Sequence, residues 1–139
     1  MQVDMAKIDA TKVWSLNYRL VSEIIVSVAP QLAALHLETK ELFILAAIDE
    51  HPHPAALADT LCMPKPTVTL YLKKLVAANY VRREIDAGDL RRHVLNLTPA
   101  GRKVMVKGLA LLSEAFGARL SRLSVTEQGQ LALLLEKMN

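Results

Sequence analysis

The sequence predicts a mainly α-helical domain that carries one small β-hairpin. Apolar residues recur at helical spacing along most of the 139 residues, and hydrophobic residues make up 52% of the chain. Aromatic residues make up only 4%, which disfavours a β-sandwich. Between residues 80 and 97 the apolar period changes from 3.6 to 2, as it does in paired strands. The length suits one domain, and we predict a single domain over residues 1–139.

The first helix is predicted over residues 11–35, and its apolar surface is unusually wide. One stripe contains Trp14, Tyr18, Val21, Ile25, Val28 and Leu32, and a second contains Val13, Leu16, Leu20 and Ile24. A helix at the surface of a monomer needs an apolar arc of only a little over about 100°. We therefore expect a second subunit to cover the other side. Pro30 is expected to kink this helix or to end it early.

A short helix-turn-helix and a hairpin follow. A second helix is predicted over residues 39–50 and is ended by the two prolines of residues 51–54. Two more helices are predicted over 55–61 and 65–78. Strands are predicted over 80–85 and 93–97, joined by a turn at 86–89. This order is that of a winged helix-turn-helix, in which one helix enters the DNA major groove and the hairpin, called the wing, contacts an adjacent groove or the backbone.

Long helices close the chain. Thr98 followed by Pro99 predicts a helix start, because a hydroxyl caps the helix and proline suits its first position. The helix that follows carries a coiled-coil-like seam of Met105, Leu109, Leu112, Phe116, Leu120 and Leu123. Ser124 and Glu127 form a capping box that predicts the start of a last helix.

Positive charge is concentrated in residues 65–92. The net charge of the chain is +3, yet this segment alone contains seven basic and three acidic residues. The remainder contains ten basic and eleven acidic residues. Clustered positive charge is typical of a surface that binds a phosphate backbone, although a solvated charged surface would have the same pattern.

Two stretches of the chain resemble the MarR family of bacterial transcriptional regulators. The first comprises Leu57–Leu61, Thr67–Thr69, Leu75 and Val81. The second, residues 89–101, matches the wing signature of that family, Asp-x-Arg followed by Leu-x-Leu-Thr-x-x-Gly. The resemblance extends to the order of the helices over nearly the whole chain.

The resemblance implies a homodimer bound to a pseudo-palindromic, double-stranded DNA operator. Residues 38–98 would form the winged helix-turn-helix, and residues 1–37 and 99–139 the dimerisation helices. It further implies a repressor that a small aromatic or phenolic effector releases from DNA.

Three positions bear on how closely the chain follows the family. Pro64 stands where the family usually has a serine that caps the DNA-reading helix, so the first turn should need another cap or water. Leu70 stands where arginine is common, which removes an expected guanine contact. Asn79 stands where glycine is common, and asparagine tolerates the left-handed conformation that such a helix end needs.

The predicted DNA contacts lie on the second helix of the helix-turn-helix and on the wing. They are Lys65, Pro66, Thr67, Thr69, Leu70, Lys73, Lys74, Asp89, Arg91 and Arg92. Asp89 is expected to hold Arg91 towards the wing tip, where a guanidinium suits a narrow, electronegative minor groove. Candidates for an effector pocket are Trp14, Tyr18, His36 and Phe43, although each alone is as well explained as a core residue.

Other functions remain open at this point. The fold could be a protein–protein interaction module without DNA binding, and the absence of arginine at position 70 favours that alternative. Cys62 could sense oxidants, but a small buried thiol is the simpler interpretation. His51 and His53 could bind a metal, but they lack carboxylate partners nearby in sequence, so a loop is simpler and no metal site is predicted.

Several other classes are disfavoured. We find no nucleophile, paired carboxylates or phosphate-binding loop, so we predict neither an enzyme nor a cofactor. The apolar stretches are too short for a membrane span, and the polar first residues do not resemble a signal peptide. With a single cysteine, the chain is expected to be cytoplasmic and to contact no membrane.

Overall fold

Four helices precede the hairpin and two follow it, in the predicted order. The structure, a computed structural model, describes residues 7–139; residues 1–6 of the predicted dimerisation segment and of the polar amino terminus lie outside that range. The elements are α1 Ala10–Ala33, α2 Thr39–Ala47, α3 Pro54–Thr60, α4 Lys65–Ala77, β1 Val81–Asp86, β2 Asp89–Leu97, α5 Pro99–Leu120 and α6 Val125–Met138. This confirms the predicted mainly α-helical fold with a β-hairpin wing.

The hydrophobic core lies inside the winged helix-turn-helix and under the carboxyl-terminal half of α1. Its fully buried side chains include Leu32, Leu42, Leu57, Leu72 and Leu95. By contrast, every described residue of α1 before Leu20 is exposed, and α6 has no buried residue. The chain therefore has one well-buried region and two helical segments with little cover.

Helix α1 begins at an acidic cap and has a proline in its last turn, and the residues after α2 include an acidic residue that contacts α5. The carboxylate of Asp9 caps α1 by accepting from the N–H groups of Thr11 and Lys12, at 3.0 and 3.3 Å. The helix runs through Pro30 and ends at Ala33, so Pro30 lies in its last turn. Helix α2 ends at Ala47, earlier than predicted, and the turn after it places Asp49 against Arg102 of α5.

Two parallel hydrogen bonds join Asp49 and Arg102, with N···O distances of 2.9 and 3.2 Å. The hydrogen bond from Arg102 lowers the pKa of the Asp49 carboxyl below its ordinary value. This ion pair links the end of α2 to the start of α5.

Three helices end in the same left-handed turn, and none of the three turns contains glycine. His36, Cys62 and Asn79 have φ values of 56°, 53° and 62°. After each of them, the next N–H donates to a carbonyl five residues back: Leu37 to Leu32, Met63 to Ala58 and Tyr80 to Leu75. This pattern is the Schellman motif. It confirms the prediction for Asn79 and gives His36 and Cys62 a structural role.

The segment before α3 anchors the wing. The N–H of Leu95 donates to the carbonyl of Pro52 at 2.7 Å, and the Nδ1 of His53 lies 3.0 Å from the carbonyl oxygen of His93. Residues 51–53 thus form an ordered loop along β2, as the simpler interpretation of the two histidines predicted.

Thr98 joins three elements at one point. Its hydroxyl donates to the carbonyl of Asn79 at 2.6 Å and accepts from the N–H of Gly101 at 2.9 Å. Its own N–H donates to the carbonyl of Tyr80 at 3.1 Å. The end of α4, the start of β1 and the first turn of α5 are therefore held together by one buried side chain and its backbone.

Gly101 is needed at this junction because there is no room for a Cβ atom. An added Cβ would lie 2.0 Å from the carbonyl oxygen of Tyr80, which is backbone and cannot move aside. We predict that Gly101→Ala lowers the free energy of unfolding by about 2 kcal/mol, as overpacked sites do. Chemical denaturation measures this.

Gly117→Ala is the matched control in the same helix. Apart from its chain neighbours and the adjacent backbone of α5, no described atom lies within 4 Å of the added Cβ. Alanine there should raise the stability by about 0.5–1 kcal/mol, because alanine is the better helix former. Equal stabilities for the two variants would contradict the steric account of the junction.

Candidate functional site

Helix α4 has one buried face and one fully exposed face. Val68, Leu72 and Leu75 are buried in the core. Of the predicted contact residues on this helix, Thr67 is half-buried, and Lys65, Pro66, Thr69, Leu70, Lys73 and Lys74 are exposed. The exposed set contains all three lysines of α4, which places positive charge on the surface of the helix-turn-helix.

The first turn of α4 has no serine cap, but its prolines reduce the number of backbone N–H groups that need a hydrogen-bond partner. Pro64 is the N-cap residue and makes no side-chain cap hydrogen bond, as predicted. Neither Pro64 nor Pro66 has an N–H group to satisfy. The N–H of Thr67 donates to the carbonyl of Pro64 at 3.0 Å. Of the donors that a helix start leaves unpaired, only the N–H of Lys65 remains.

Lys74 is already engaged within the protein. Its ammonium group lies 3.4 Å from a carboxylate oxygen of Glu38 and 5.4 Å from the centre of the Tyr71 ring. Both Lys74 and Glu38 are about half exposed, so the pair is only weakly stabilising. Lys65 and Lys73 form no ion pair with any described residue.

The wing is a two-stranded antiparallel hairpin that carries four exposed arginines. Val81 pairs with Leu97 at its base and Asp86 with Asp89 at its tip. Strand β2 begins at Asp89, four residues before the predicted start, so Arg91 and Arg92 lie within the strand. With Arg82 and Arg83 on β1, the hairpin places positive charge on both strands.

Asp89 contacts Arg91 in two ways. One carboxylate oxygen accepts from the backbone N–H of Arg91 at 3.0 Å and lies 3.6 Å from its Nε. The Arg91 side chain is 94% exposed, so apart from this contact the guanidinium faces solvent. Asp89 therefore contacts Arg91 as predicted, and its role in orienting Arg91 towards DNA stays a prediction.

An apolar cleft of about 520 Å3 lies between α1, α2 and α5. It is lined by Val21, Ile24, Ile25, Phe43, Leu109, Leu112, Ser113 and Phe116. Three of these residues, Leu109, Leu112 and Phe116, belong to the predicted seam of α5. Part of the predicted seam of α5 therefore forms one wall of the cleft.

Of the four predicted pocket residues, the structure places only Phe43 at this cleft. Trp14 and Tyr18 are 63% and 62% exposed and lie against each other near the start of α1, with ring centres 6.1 Å apart. His36 is exposed in the turn that ends α1. The protomer does not bring these four side chains together.

The aliphatic wall of the cleft was not predicted from the sequence. Val21 and Ile25 belong to the wide apolar surface of α1, and nothing in their spacing separates a cleft wall from an interface. The sequence feature that could have indicated the cleft is the large number of apolar residues on α1 and α5, which is more than one small core can bury.

Cys62 is exposed, so the simpler interpretation of it as a buried thiol is wrong. Its place in the left-handed turn between α3 and α4 puts the side chain at the surface. Among residues 7–139, no group of three or more histidine, cysteine and acidic side chains is arranged to hold a metal ion. Within the same residues, no helix is long and apolar enough to cross a membrane.

Known proteins are similar to this chain over its helix-turn-helix and wing. A model of the MarR family matches residues 37–92, which include α2, α3, α4 and most of the wing. The transcriptional regulator HosA of Escherichia coli is 32% identical over 97 residues, which cover 68% of this chain and 72% of HosA.

Two solved structures share the fold. The MepR–DNA complex of S. aureus superposes with a TM-score of 0.76 at 25% identity, covering 90% of this chain and 95% of MepR. A MarR family protein of Mycobacterium tuberculosis in complex with salicylic acid superposes with a TM-score of 0.74 at 26% identity, covering 89% and 93% of the two chains. With the HosA relationship and the shared wing signature, these matches establish that the chain belongs to the MarR family.

Proposed function

We propose that this protein is a homodimeric, DNA-binding transcriptional regulator, and that it acts as a repressor released by a small effector. The observation that carries the proposal is the pairing of an exposed, lysine-bearing α4 with an arginine-rich wing in a chain of the MarR family. Relatives support it: HosA is a transcriptional regulator, and MepR has been crystallised with DNA. Membership in this family favours DNA binding over a module that contacts only proteins.

We assign DNA binding and dimerisation to the two sets of residues predicted from the sequence. Residues 38–98 would bind DNA, and the helices of residues 1–37 and 99–139 would form the dimer. Exposed apolar side chains support this assignment, because they are concentrated at the start of α1 and on α6. Trp14, Leu16, Leu133, Leu134 and Met138 are each more than half exposed in the protomer. A 14-residue helix with no buried residue is marginal alone and gains stability by packing on a second copy.

A charge placed on α6 tests the dimer. Leu134 is 58% exposed, so glutamate there should leave the protomer folded. If α6 packs against the partner, Leu134→Glu buries an unpaired charge in each copy and raises the dimer dissociation constant about a hundredfold or more. Sedimentation measures the association.

Ile85→Glu is the matched control, since Ile85 is 62% exposed but lies on the wing. It should remain dimeric. A folded wild-type protein that sediments as a monomer at micromolar concentration would contradict the proposed assembly.

The binding mechanism has two components. Lys65, Lys73 and the wing arginines would neutralise phosphates and release counterions, so affinity should fall as salt rises. Arg91 would enter the narrow groove beside the half-site, because a guanidinium is more weakly hydrated than an ammonium. Asp89 would orient Arg91 without touching DNA.

Substitutions at the wing test this mechanism. We expect Arg91→Ala to weaken operator binding about tenfold or more, within the range for a side chain that contacts DNA directly. Arg91→Lys should recover only part of the affinity, and Asp89→Ala should cause a smaller loss. Fluorescence anisotropy at moderate salt measures all three.

Lys103→Ala provides the control, because Lys103 is an exposed lysine outside the basic segment. Its affinity should equal that of the wild type. Unchanged binding by a folded, dimeric Arg91→Ala would refute the role given to the wing.

The apolar cleft is the proposed effector site. It lies between the proposed dimerisation helices α1 and α5 and helix α2 of the DNA-binding part, so its occupant can change their relative position. An effector releases DNA only if it binds more tightly to a form whose DNA-reading helices are wrongly placed. The relative bound to salicylic acid supports an aromatic ligand.

The lining of the cleft favours an uncharged ligand over a carboxylate. Seven of its eight side chains are apolar, and the eighth is Ser113. The nearby Arg119 is already paired with Glu23 at 2.8 Å. A carboxylate in the cleft would be buried without a cation, which is unfavourable.

Paired ligands test this preference. We expect p-cresol to bind at least about tenfold more tightly than benzoate, to raise the melting temperature and to lower operator affinity. Phe43→Ala should weaken cresol binding by removing an aromatic wall. Val26→Ala, at an exposed residue of α1 that does not line the cleft, should not. Tighter binding of benzoate would contradict the uncharged-ligand proposal.

A further inference from the structure

Helix α4 has few of the side chains that read a base by a forked hydrogen bond. Its sequence, KPTVTLYLKKLVA, contains no arginine, asparagine, glutamine, aspartate or glutamate, so lysine is its only residue type that forms such contacts with base edges. Two of its three lysines, Lys73 and Lys74, lie in its carboxyl-terminal half. Sequence reading by the amino-terminal half must therefore rely largely on other contacts.

The face of α4 opposite the core is mainly apolar in its amino-terminal half. Pro66 and Leu70 lie one helical turn apart on that face, away from buried Val68 and Leu72. Leu70 is 55% exposed, although leucine is a residue type that cores normally bury. The amino-terminal part of the reading helix is also the part that contacts base edges in this class of protein.

Thr69 extends the same apolar surface. Its hydroxyl donates to the carbonyl of Lys65 at 3.0 Å, so its one proton is used within the helix. The side chain then has a methyl group to offer. Lys73 continues the exposed face towards the carboxyl end, and Lys65 lies beside Thr69, so lysines border the apolar surface.

We propose that Pro66, Thr69 and Leu70 read thymine methyl groups in the major groove, with Leu70 as the main specificity-determining residue. The inference rests on the proposed DNA-binding function. The thymine C5-methyl is the one apolar group that a base pair presents in that groove, and apolar side chains contact it. The lysines would hold phosphates on either side and so position the apolar surface over the bases.

Replacing thymine by uracil tests the proposal, because it removes only the methyl group. Operator DNA would first be selected from a random library, and each thymine of the half-sites would then be replaced by deoxyuridine. At the positions that Leu70 reads, we expect affinity to fall about fourfold for one methyl group. Changing both symmetric positions should lower it about fifteenfold, since distant sites add.

Two further substitutions separate the methyl contact from effects on DNA shape. At the sensitive position, 5-methylcytosine should bind more tightly than cytosine, because it restores the methyl group. Leu70→Ala should bind the thymine operator several-fold more weakly and lose its sensitivity to uracil. Val76→Ala is the matched control: Val76 is 41% exposed on the same helix but lies two turns beyond Thr69, at the carboxyl end and away from the amino-terminal part proposed to contact bases, and the variant should behave as the wild type.

The outcomes distinguish the inference from the function on which it rests. Sequence-specific binding that is insensitive to uracil at every thymine would overturn the inference and leave the regulator intact. Selected half-sites that instead depend on a guanine contacted by Lys73 would overturn it too. A protein that binds no duplex specifically, even at low salt, would remove both the proposed function and the inference.

Discussion

The position of the DNA-binding elements depends on the hydrogen bonds around Thr98. One buried hydroxyl connects the carbonyl of Asn79, where α4 ends, to the N–H of Gly101, where α5 begins. The adjacent backbone bond to Tyr80 fixes the start of the wing. A buried polar group is costly to leave unpaired, so the loss of any one of these bonds would destabilise the junction. Residues of the Leu-x-Leu-Thr-x-x-Gly signature thus connect the reading helix, the wing and the long helix α5 and fix their relative positions.

Local backbone hydrogen bonds also fix the ends of three helices. Left-handed turns at His36, Cys62 and Asn79 redirect the chain after α1, α3 and α4, each at a modest conformational cost for a residue other than glycine. The residue after each turn, Leu37, Met63 or Tyr80, is partly or fully buried, and the Schellman motif is commonly accompanied by such a hydrophobic contact. The exposed thiol of Cys62 follows from this geometry, since the turn projects the side chain away from the core.

Most of the fold could be predicted from the sequence because its signals are local. Thr98 and Pro99, the Ser124–Glu127 capping box and the tolerance of Asn79 for a positive φ each act within a few residues. The early start of β2 escaped prediction because three of residues 89–92 are charged, which hides the strand period, and because the strand pairing is irregular between Ile85 and Asp86. The left-handed conformations of His36 and Cys62 escaped it because neither residue is a glycine or an asparagine. The cleft could not be predicted because it forms between three helices, and Phe43 is its one lining residue that was predicted to belong to an effector pocket. Whether the predicted DNA contacts touch DNA is a property of a complex and remains a prediction.

We propose that two copies of this chain present two reading helices to one face of a DNA duplex. Hydroxyl-radical footprinting of the wild-type protein on operator DNA tests this arrangement. It should show two protected half-sites whose centres lie about 10 base pairs apart, one helical turn, on the same face of the duplex. A single protected half-site, or uniform protection without a preferred face, would contradict it.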